Sequence, residues 1–214
     1  LSTILITLLA KKFKSCQFIL DVHDLPLEQG LAFGSEINKW TQIILSRYTK
    51  FALHCADYLL SVSDAFSEYI HITYHVEKQK ICRAPNGTFP ELLHLHREEN
   101  NRGGSKICYT GSLLQDKGIL ELIKLVSSLH DVRKDVRLEL WGYNGMGIKS
   151  NDWLTVSSTS FSQIKNVLGD ADILVIPFPR KLYYNITHPI KLSDYMAAGK
   201  PIVCLNLETS GTII

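Results

Sequence analysis

The residues whose types and spacing best suit chemistry lie between Thr187 and Asp194. If a helix begins at Thr187, its N–H groups and positive dipole end suit a phosphate, and Lys191 could add a cation. Asp194 would lie about 10 Å further along the helix axis and on nearly the same face, close to the span from a diphosphate to the hydroxyls of a ribose. A carboxylate accepts hydrogen bonds from vicinal hydroxyls. The pattern predicts a nucleotide site, although an ordinary helix with a solvated lysine and aspartate would look the same.

The residues on either side of this stretch indicate how it is positioned. Residues 172–177 and 201–205 are short, apolar and rich in β-branched side chains, which is typical of buried parallel strands. Between them Thr187 is the predicted N-cap, Pro189 fits the first helical turn, and Gly199 ends the helix. The sequence therefore predicts a strand, a helix and a second strand in succession.

A second candidate anion site follows the predicted strand at residues 106–110. Gly111 and Ser112 begin a loop, and Lys117 precedes an amphipathic helix that ends at His130. A strand, a glycine turn and a helix N-terminus form a phosphate cradle, to which Lys117 can add charge. The loop matches neither the Walker A nor the G-x-G-x-x-G pattern, and an exposed lysine without a ligand is the alternative.

Two further candidates also come directly after predicted strands, where functional groups gather in parallel sheets. His23 follows the strand at residues 16–22. It could handle a proton, donate a hydrogen bond to a phosphate, or have a structural role through a bond to Asp24. Gly142 follows the strand at residues 136–141, and its missing side chain would let a backbone approach a ligand closely. A plain surface turn is the alternative for Gly142.

Strands alternate with helices on both sides of a polar stretch at residues 94–104, which predicts an α/β fold with doubly wound parallel sheets. We take this stretch as a linker and predict two domains, residues 1–97 and 98–214. The linker carries His94 and His96, but no further ligands cluster near them in the sequence, so we predict no metal site.

Several predictions concern the first domain. Residues 25–35, which contain two glycines, predict a loop. Residues 36–56 predict a long helix with an apolar stripe, in which Trp40 and Phe51 belong to the core. Ser63 is the predicted N-cap of the next helix.

Composition excludes some classes of protein. The chain of 214 residues is 45% hydrophobic and 21% charged, as in an ordinary globular protein, and its net charge of +2 indicates no nucleic-acid partner. Five scattered cysteines without a C-x-x-C pair predict reduced core residues of a cytosolic protein. Residues 1–14 predict a helix that packs on the protein, with a membrane-surface helix as the alternative. Because Leu1 is not a start methionine and the last residues form no closing element, we expect a segment of a longer protein.

The stretch Pro-x-Lys-x-x-acid-Tyr-Met-Ala-x-Gly-Lys-Pro at residues 189–201 resembles the nucleotide-sugar segment of the GT-B glycosyltransferases of group 1, family 4. Residues 111–118 resemble the Gly-(Arg or Ser)…Lys-Gly loop of that family, and the whole resemblance covers roughly residues 17–206. It implies two Rossmann-like parallel-sheet domains, the N-terminal one incomplete. It further implies transfer of a sugar from a nucleotide-sugar donor to a glycan, lipid or small-molecule acceptor. The transfer would retain the anomeric configuration and need no metal or cofactor.

The same resemblance implies roles for individual residues. Asp194 takes the place of the usual Glu that holds the ribose, and His23 lies near the reacting carbon. Ser112 stands where many members have Arg, and Ile186 replaces a second Glu that contacts the transferred sugar. The residues assigned to donor binding are Gly111, Ser112, Lys117, Gly142, Thr187, His188, Pro189, Lys191 and Asp194.

Two other functions remain open at this point. A sugar-nucleotide epimerase or hydrolase can have the same fold, and a non-catalytic module could bind a nucleotide sugar without turnover. We expect a cytoplasmic protein, and contact with the inner membrane face is left open.

Overall fold

The structure is a computed structural model that describes residues 16–34, 36–93, 95, 104–158 and 160–208. The strands in these residues are β1 (Ile19–Val22), β2 (Tyr58–Ser61), β3 (Ile81–Arg83), β4 (Ser105–Thr110), β5 (Val136–Trp141), β6 (Leu154–Ser157), β7 (Ile173–Ile176) and β8 (Ile202–Cys204). The α-helices are α1 (Pro26–Ala32), α2 (Lys39–Cys55), α3 (Asp64–Tyr74), α4 (Ile119–Val132), α5 (Ile164–Asp170), α6 (Leu182–Ile186) and α7 (Ile190–Ala197). The predicted helix at residues 1–14, and His94 and His96, lie outside the described residues.

The chain forms two compact units. The first takes in the described residues of Leu1–Asn86, Lys181–His188 and Leu207–Ile214, and the second those of Gly87–Arg180 and Pro189–Asn206. The segment Lys181–His188 therefore belongs to the first unit, although it lies between two parts of the second in sequence. The predicted domain boundary at residues 97 and 98 falls in a stretch that the structure does not describe, so it stays a prediction.

The first unit contains a parallel sheet with the strand order β1-β2-β3. Its core includes Leu59 of β2, Phe66 and Ile70 of α3, and Ile186 of α6, all of them buried. The Ser63 hydroxyl accepts a hydrogen bond from the Phe66 amide at 3.0 Å, as expected of an N-cap. The predicted cap of this helix is confirmed.

The second unit contains a parallel sheet with the strand order β6-β5-β4-β7-β8. Strand β4 lies in the middle, and its last four residues are buried because the sheet is covered on both faces. The parallel α/β architecture predicted from the alternating strands and helices is confirmed in both units.

Some predictions about the first unit are wrong. Most of the loop predicted at residues 25–35 is helical instead, because α1 covers Pro26–Ala32 and proline suits the first position of a helix. Trp40 and Phe51 are not in the core. They lie on the exposed side of α2, whereas Ala52 and Leu53 are buried. A helical period alone does not show which apolar side of a helix is buried.

The cysteines are free, as predicted, but they are not all core residues. Cys108 is buried at the centre of the second sheet, whereas Cys16 and Cys82 are exposed. Among the described residues, no helix combines the length and the apolar character that crossing a bilayer requires.

Candidate functional site

The strand order of the second unit creates a crevice at one place in its sheet. From β4 the chain continues to β5 and β6 on one side, and then returns to β7 and β8 on the other side of β4. Ligands of open α/β sheets bind at such a reversal, outside the carboxyl ends of the two strands concerned. Gly111 directly follows β4, and Phe178 comes two residues after β7.

The Lys191 ammonium lies at this reversal point, between two aromatic rings. Its Nζ is 4.4 Å from the centre of the Tyr109 ring and 4.8 Å from the centre of the Phe178 ring. It also donates a hydrogen bond of 3.1 Å to the Tyr109 hydroxyl. The faces of aromatic rings attract a cation. These contacts hold the lysine side chain in one place but provide no negative charge.

Gly111 keeps space open beside this ammonium. A Cβ atom at position 111 would lie 2.7 Å from the Lys191 Nζ, and the φ angle of Gly111 is +134°, which side-chain-bearing residues rarely adopt. Gly142 is equally constrained, because a Cβ atom there would lie 2.2 Å from the carbonyl oxygen of Gly111. The missing side chain of Gly142 therefore lets the backbone of Gly111 come close. This close approach brings the ends of β4 and β5 together.

Lys117 supplies a second cation to the same part of the second unit. It ends a short 3₁₀ turn, Gln115–Lys117, and its Nζ donates a hydrogen bond of 2.8 Å to the Ser112 hydroxyl. Burial lowers the pKa of Lys117, and the charge of Asp116 opposes this shift. The ammonium group is thus partly removed from water and directed toward the loop that follows β4.

The two lysines destabilise each other's charge. Burial and, to a smaller extent, the charge of Lys117 lower the pKa of Lys191 to about 7, while the charge of Asp194 acts in the opposite direction. Within the described part of the chain, neither ammonium forms a salt bridge with a carboxylate. Two desolvated cations without an ion-pair partner would be stabilised by an anion that contacts both.

Asp194 lies one helical turn after Lys191 in α7, so both side chains occupy nearly the same face of the helix. One of its carboxylate oxygens, Oδ1, accepts a hydrogen bond of 2.6 Å from the Thr88 hydroxyl. Thr88 follows Pro85, Asn86 and Gly87 in the sequence, and sequence reasoning gave it no role. It fixes the direction in which the carboxylate of Asp194 points.

Thr187 does not cap the helix that carries Lys191. It is the C-cap of α6, and its hydroxyl donates a hydrogen bond of 2.8 Å to the Tyr183 carbonyl. Helix α7 begins at Ile190, with Pro189 in the N-cap position and without a capping side chain. The predicted N-cap is therefore wrong, because the threonine bonds back to the preceding turn instead.

The predicted donor-binding residues accordingly fall into two groups. Gly111, Ser112, Lys117, Gly142, Pro189, Lys191 and Asp194 belong to the second unit, and Thr187 and His188 belong to the first. His188 is buried, which lowers its pKa, and its carbonyl accepts a hydrogen bond of 2.7 Å from the Asn86 side chain.

In the first unit, His23 follows β1 and its Nε2 lies 3.0 Å from a carboxylate oxygen of Asp21. Both side chains are about half exposed. The alternative partner predicted for His23 was Asp24, but Asp24 instead accepts a hydrogen bond of 2.5 Å from the Tyr183 hydroxyl. The histidine is thus paired with a carboxylate and accessible to solvent at the carboxyl end of a strand.

A buried carboxylate anchors the helix that follows His23, and sequence reasoning missed it. Glu28 of α1 is buried, and its Oε1 accepts hydrogen bonds from the hydroxyls of Tyr69 at 2.7 Å and Tyr74 at 2.8 Å. Burial raises the pKa of both tyrosines, so both hydroxyls stay protonated and able to donate. Glu28 therefore ties α1 to α3.

A sequence model of the family described as "Glycosyl transferases group 1" matches residues 104–214. A search among curated proteins finds no match.

Solved structures with a similar fold include HepE, TarM and WaaG. HepE of Anabaena, in complex with UDP and glucose, is 14% identical with a TM-score of 0.66, over 100% of this chain and 59% of HepE. TarM of S. aureus is 12% identical with a TM-score of 0.67, over 91% of this chain and 38% of TarM. WaaG, a glycosyltransferase involved in lipopolysaccharide biosynthesis, is 15% identical with a TM-score of 0.66, over 93% of this chain and 62% of WaaG. The chain thus spans less than two thirds of the length of each.

At these identities the solved structures establish the fold, which is GT-B. The match to the family model is independent of them and covers more than half of the 214 residues. It includes the loop with Lys117 and the helix with Lys191 and Asp194. The resemblance inferred from the sequence is confirmed: the chain belongs to the glycosyl transferases of group 1.

Proposed function

We propose that this chain binds the diphosphate of a nucleotide sugar at the reversal point of its second sheet, and that the protein transfers the sugar to an acceptor. The observation that carries the proposal is the pair of ammonium groups of Lys117 and Lys191, partly desolvated and without an ion-pair partner among the described residues. A nucleotide-sugar diphosphate carries two negative charges and could contact both. The complex of HepE with UDP and glucose supports this class of donor.

The proposed reaction breaks the bond between the anomeric carbon of the sugar and the diphosphate oxygen, and the electron pair stays on the diphosphate. The acceptor hydroxyl forms the new bond to the anomeric carbon and gives its proton to the released diphosphate. Lys117 and Lys191 stabilise the negative charge that grows on the leaving group. They supply positive charge where other enzymes use a divalent metal, so we propose a transfer that is independent of metals and cofactors. We also propose, from the family resemblance, that the transfer retains the anomeric configuration.

Within this proposal, Asp194 accepts hydrogen bonds from the ribose hydroxyls of the donor, and Thr88 orients its carboxylate. Replacing Thr88 by valine keeps the shape of the side chain but removes the hydrogen bond to Oδ1. We expect donor affinity to fall at least about tenfold, since a hydrogen bond to a charged group is worth roughly 1.5–3 kcal/mol. Isothermal titration calorimetry with UDP measures the effect.

Two controls test whether Thr88 acts through the ribose of the donor. Thr88→Ser keeps the hydroxyl and should bind UDP nearly as the wild type does. With 2′,3′-dideoxy-UDP, which offers no ribose hydroxyls, Thr88→Val and the wild type should bind equally. An equal loss of affinity for UDP and for the dideoxy analogue would show that Thr88 does not act through the ribose.

We propose that His23, paired with Asp21, helps to position the reacting groups and does not contribute to the affinity for the donor. The acceptor would be a glycan, a lipid or a small molecule. His23→Ala should lower kcat roughly tenfold or more through lost positioning, while the Kd for the donor stays unchanged. A matched fall in donor affinity would place His23 in donor binding instead.

One observation favours a second candidate function, a module that binds a nucleotide sugar without turnover. Ile186, which stands in place of the family's sugar-contacting Glu, is buried in the core of the first unit. Calorimetry against UDP-, GDP- and ADP-sugars, followed by an acceptor screen, distinguishes the candidates. Product formation that requires an acceptor supports the transferase. Release of nucleotide or a rearranged sugar without an acceptor supports a hydrolase or epimerase, and binding without turnover supports the module.

The use of a nucleotide-sugar donor also bears on where in the cell the protein acts. We propose that the protein acts in the cytoplasm, where such donors are made, and that it contacts the inner membrane face peripherally.

A further inference from the structure

The hydroxyl of Tyr109 joins the two parts of the second unit that carry the candidate cations. Tyr109 lies in β4, the middle strand of the sheet, and its side chain is fully buried. Its hydroxyl lies 3.1 Å from the Lys191 ammonium of α7 and 3.3 Å from the Ser112 carbonyl. One side chain held in the centre of the sheet therefore contacts both the lysine and the loop that follows the strand.

The chemistry of the groups fixes the direction of these two hydrogen bonds. A carbonyl oxygen can only accept, so the hydroxyl proton of Tyr109 goes to Ser112. Burial and, to a smaller extent, the charge of Asp116 raise the pKa of Tyr109, so this proton stays on the oxygen. The lone pairs of the oxygen then accept from Lys191. Tyr109 thus offers Lys191 an uncharged acceptor in a defined direction.

Ser112 extends this arrangement to the second cation. Its carbonyl accepts from Tyr109, and its hydroxyl accepts a hydrogen bond of 2.8 Å from Lys117. Lys191, Tyr109, Ser112 and Lys117 form one chain of hydrogen bonds, which we call the lysine network. A Cβ atom at Gly111 would lie 3.1 Å from the Tyr109 oxygen and 2.7 Å from the Lys191 Nζ, so the network runs beside the backbone of this loop. Its two middle members are uncharged and hold both cations without neutralising them.

Holding a lysine in place before a ligand arrives matters because its four-carbon stem is flexible. A side chain that must be ordered on binding reduces the affinity for the ligand. Donors that already stand where negative charge develops need no reorganisation during the reaction. The rings of Tyr109 and Phe178 confine the Lys191 Nζ but attract it over a broad face. The Tyr109 hydroxyl adds the directional contact.

We propose that Tyr109 is a positioning residue for the sugar transfer, which fixes Lys191 relative to the loop of Lys117 so that one diphosphate meets both ammonium groups. This role rests on the proposed function and adds to it a residue that acts through Lys191 and Ser112. Tyr195 shows the contrasting, structural use of a buried tyrosine. Its hydroxyl accepts a hydrogen bond of 2.8 Å from the backbone amide of Thr110.

A double-mutant cycle tests the positioning role. Tyr109→Phe removes one oxygen and keeps the ring beside Lys191. We expect kcat at saturating donor to fall about tenfold, since a misplacement of about 1 Å can cost up to 10²-fold. In a Lys191→Met background the same change should lower kcat by less than about twofold, because the group that Tyr109 positions is absent. A merely structural role would lower kcat by the same factor in both backgrounds.

The pH dependence of donor binding gives a second readout. Loss of the Tyr109 acceptor disfavours the charged form of Lys191 and moves its pKa further down from about 7. Lys117, from the loop after β4, and Asp194, from the next turn of α7, also act on this charge, and Tyr109→Phe leaves both residues unchanged. The pH above which UDP affinity falls should move down by about one unit, since a hydrogen bond to a charged group is worth about one pKa unit or more.

Calorimetry with UDP across this pH range measures the shift in affinity. An NMR titration of ¹³C-labelled lysine side chains measures the pKa of Lys191 in the free protein. Tyr195→Phe is the matched control, because Tyr195 is as buried as Tyr109 and its hydroxyl supports the same end of β4 without touching the lysine network. This control should keep the wild-type kcat and pH profile. Thermal unfolding followed by circular dichroism reports the stability that each variant loses.

Three results would overturn the positioning role and leave the proposed function standing. Tyr109→Phe could lower kcat equally with and without Lys191. The pKa of Lys191 could be the same in Tyr109→Phe and the wild type. Tyr195→Phe could reproduce both effects, which would assign them to a loosened end of β4. If the wild type binds no UDP, the proposed function fails and the positioning role fails with it.

Discussion

Replacing Lys117 by alanine should lower turnover by about 10²-fold, which is the usual cost of removing one preorganised donor from a developing negative charge. The effect is large because the ammonium is partly buried and is not neutralised by an ion pair with a described residue. Its only described hydrogen bond is to the Ser112 hydroxyl, which is neutral. Initial rates at saturating donor give kcat, and calorimetry gives the donor Kd.

The matched control is Lys124→Ala. Lys124 lies on α4, which follows the Lys117 loop, and its side chain is exposed. This variant loses the same charge at a short distance along the chain and should keep wild-type turnover. Unchanged kcat in Lys117→Ala, with the Lys124 variant also unchanged, would remove Lys117 from the chemistry.

Donor affinity should fall as the pH rises above 7, and Lys191 is the reason. Burial between Tyr109 and Phe178 and the charge of Lys117 lower the pKa of Lys191 to about 7. A bound diphosphate favours the charged form and raises this pKa. Below pH 7 the lysine is already protonated, so binding takes up few protons. Above pH 7 each binding event takes up nearly one, and the affinity falls by up to about tenfold per pH unit.

Calorimetry of a UDP-sugar between pH 6 and 8.5, in pairs of buffers with different ionisation heats, measures both the affinity and the proton uptake. Lys191→Arg should flatten the profile, because arginine stays protonated throughout this range and still fits between aromatic rings. Lys165→Arg, at an exposed position in α5, should retain the wild-type profile. A donor Kd independent of pH in the wild type would refute the coupling.

The sequence predicts most of the second unit because its signals are local. Strands β4, β5 and β7 are short runs directly followed by glycine or proline, and periodicity identifies such runs even when their partners are unknown. The candidate lysines and Asp194 could also be found this way, since each lies just after a strand or in a helix next to one. Their roles in donor binding remain predictions.

Other features depend on contacts that the sequence does not reveal. Helix α6 is only five residues long, and its position depends on bonds such as that from the Lys181 ammonium to the Ala32 carbonyl, 149 residues away. Without α6, Thr187 looks like an N-cap. Tyr109 and Phe178 look like ordinary core residues, because only the strand order brings both rings to Lys191. Nothing in the sequence distinguishes Thr88. Its role appears only from the hydrogen bond of 2.6 Å between its hydroxyl and the Asp194 carboxylate.

The return of the segment Lys181–His188 to the first unit has a consequence for biosynthesis. The hydrogen bond from the Ser63 hydroxyl to the Ile186 carbonyl joins residues 123 positions apart, and Ile186 fills part of the core next to it. On the ribosome, amino-terminal domains usually fold first, but this one lacks a core residue until strands β4 to β7 of the second unit have been translated. Collapse of the intervening chain shortens the loop that must close and lowers its entropy cost. The first unit therefore cannot complete its core until most of the second unit has been synthesised.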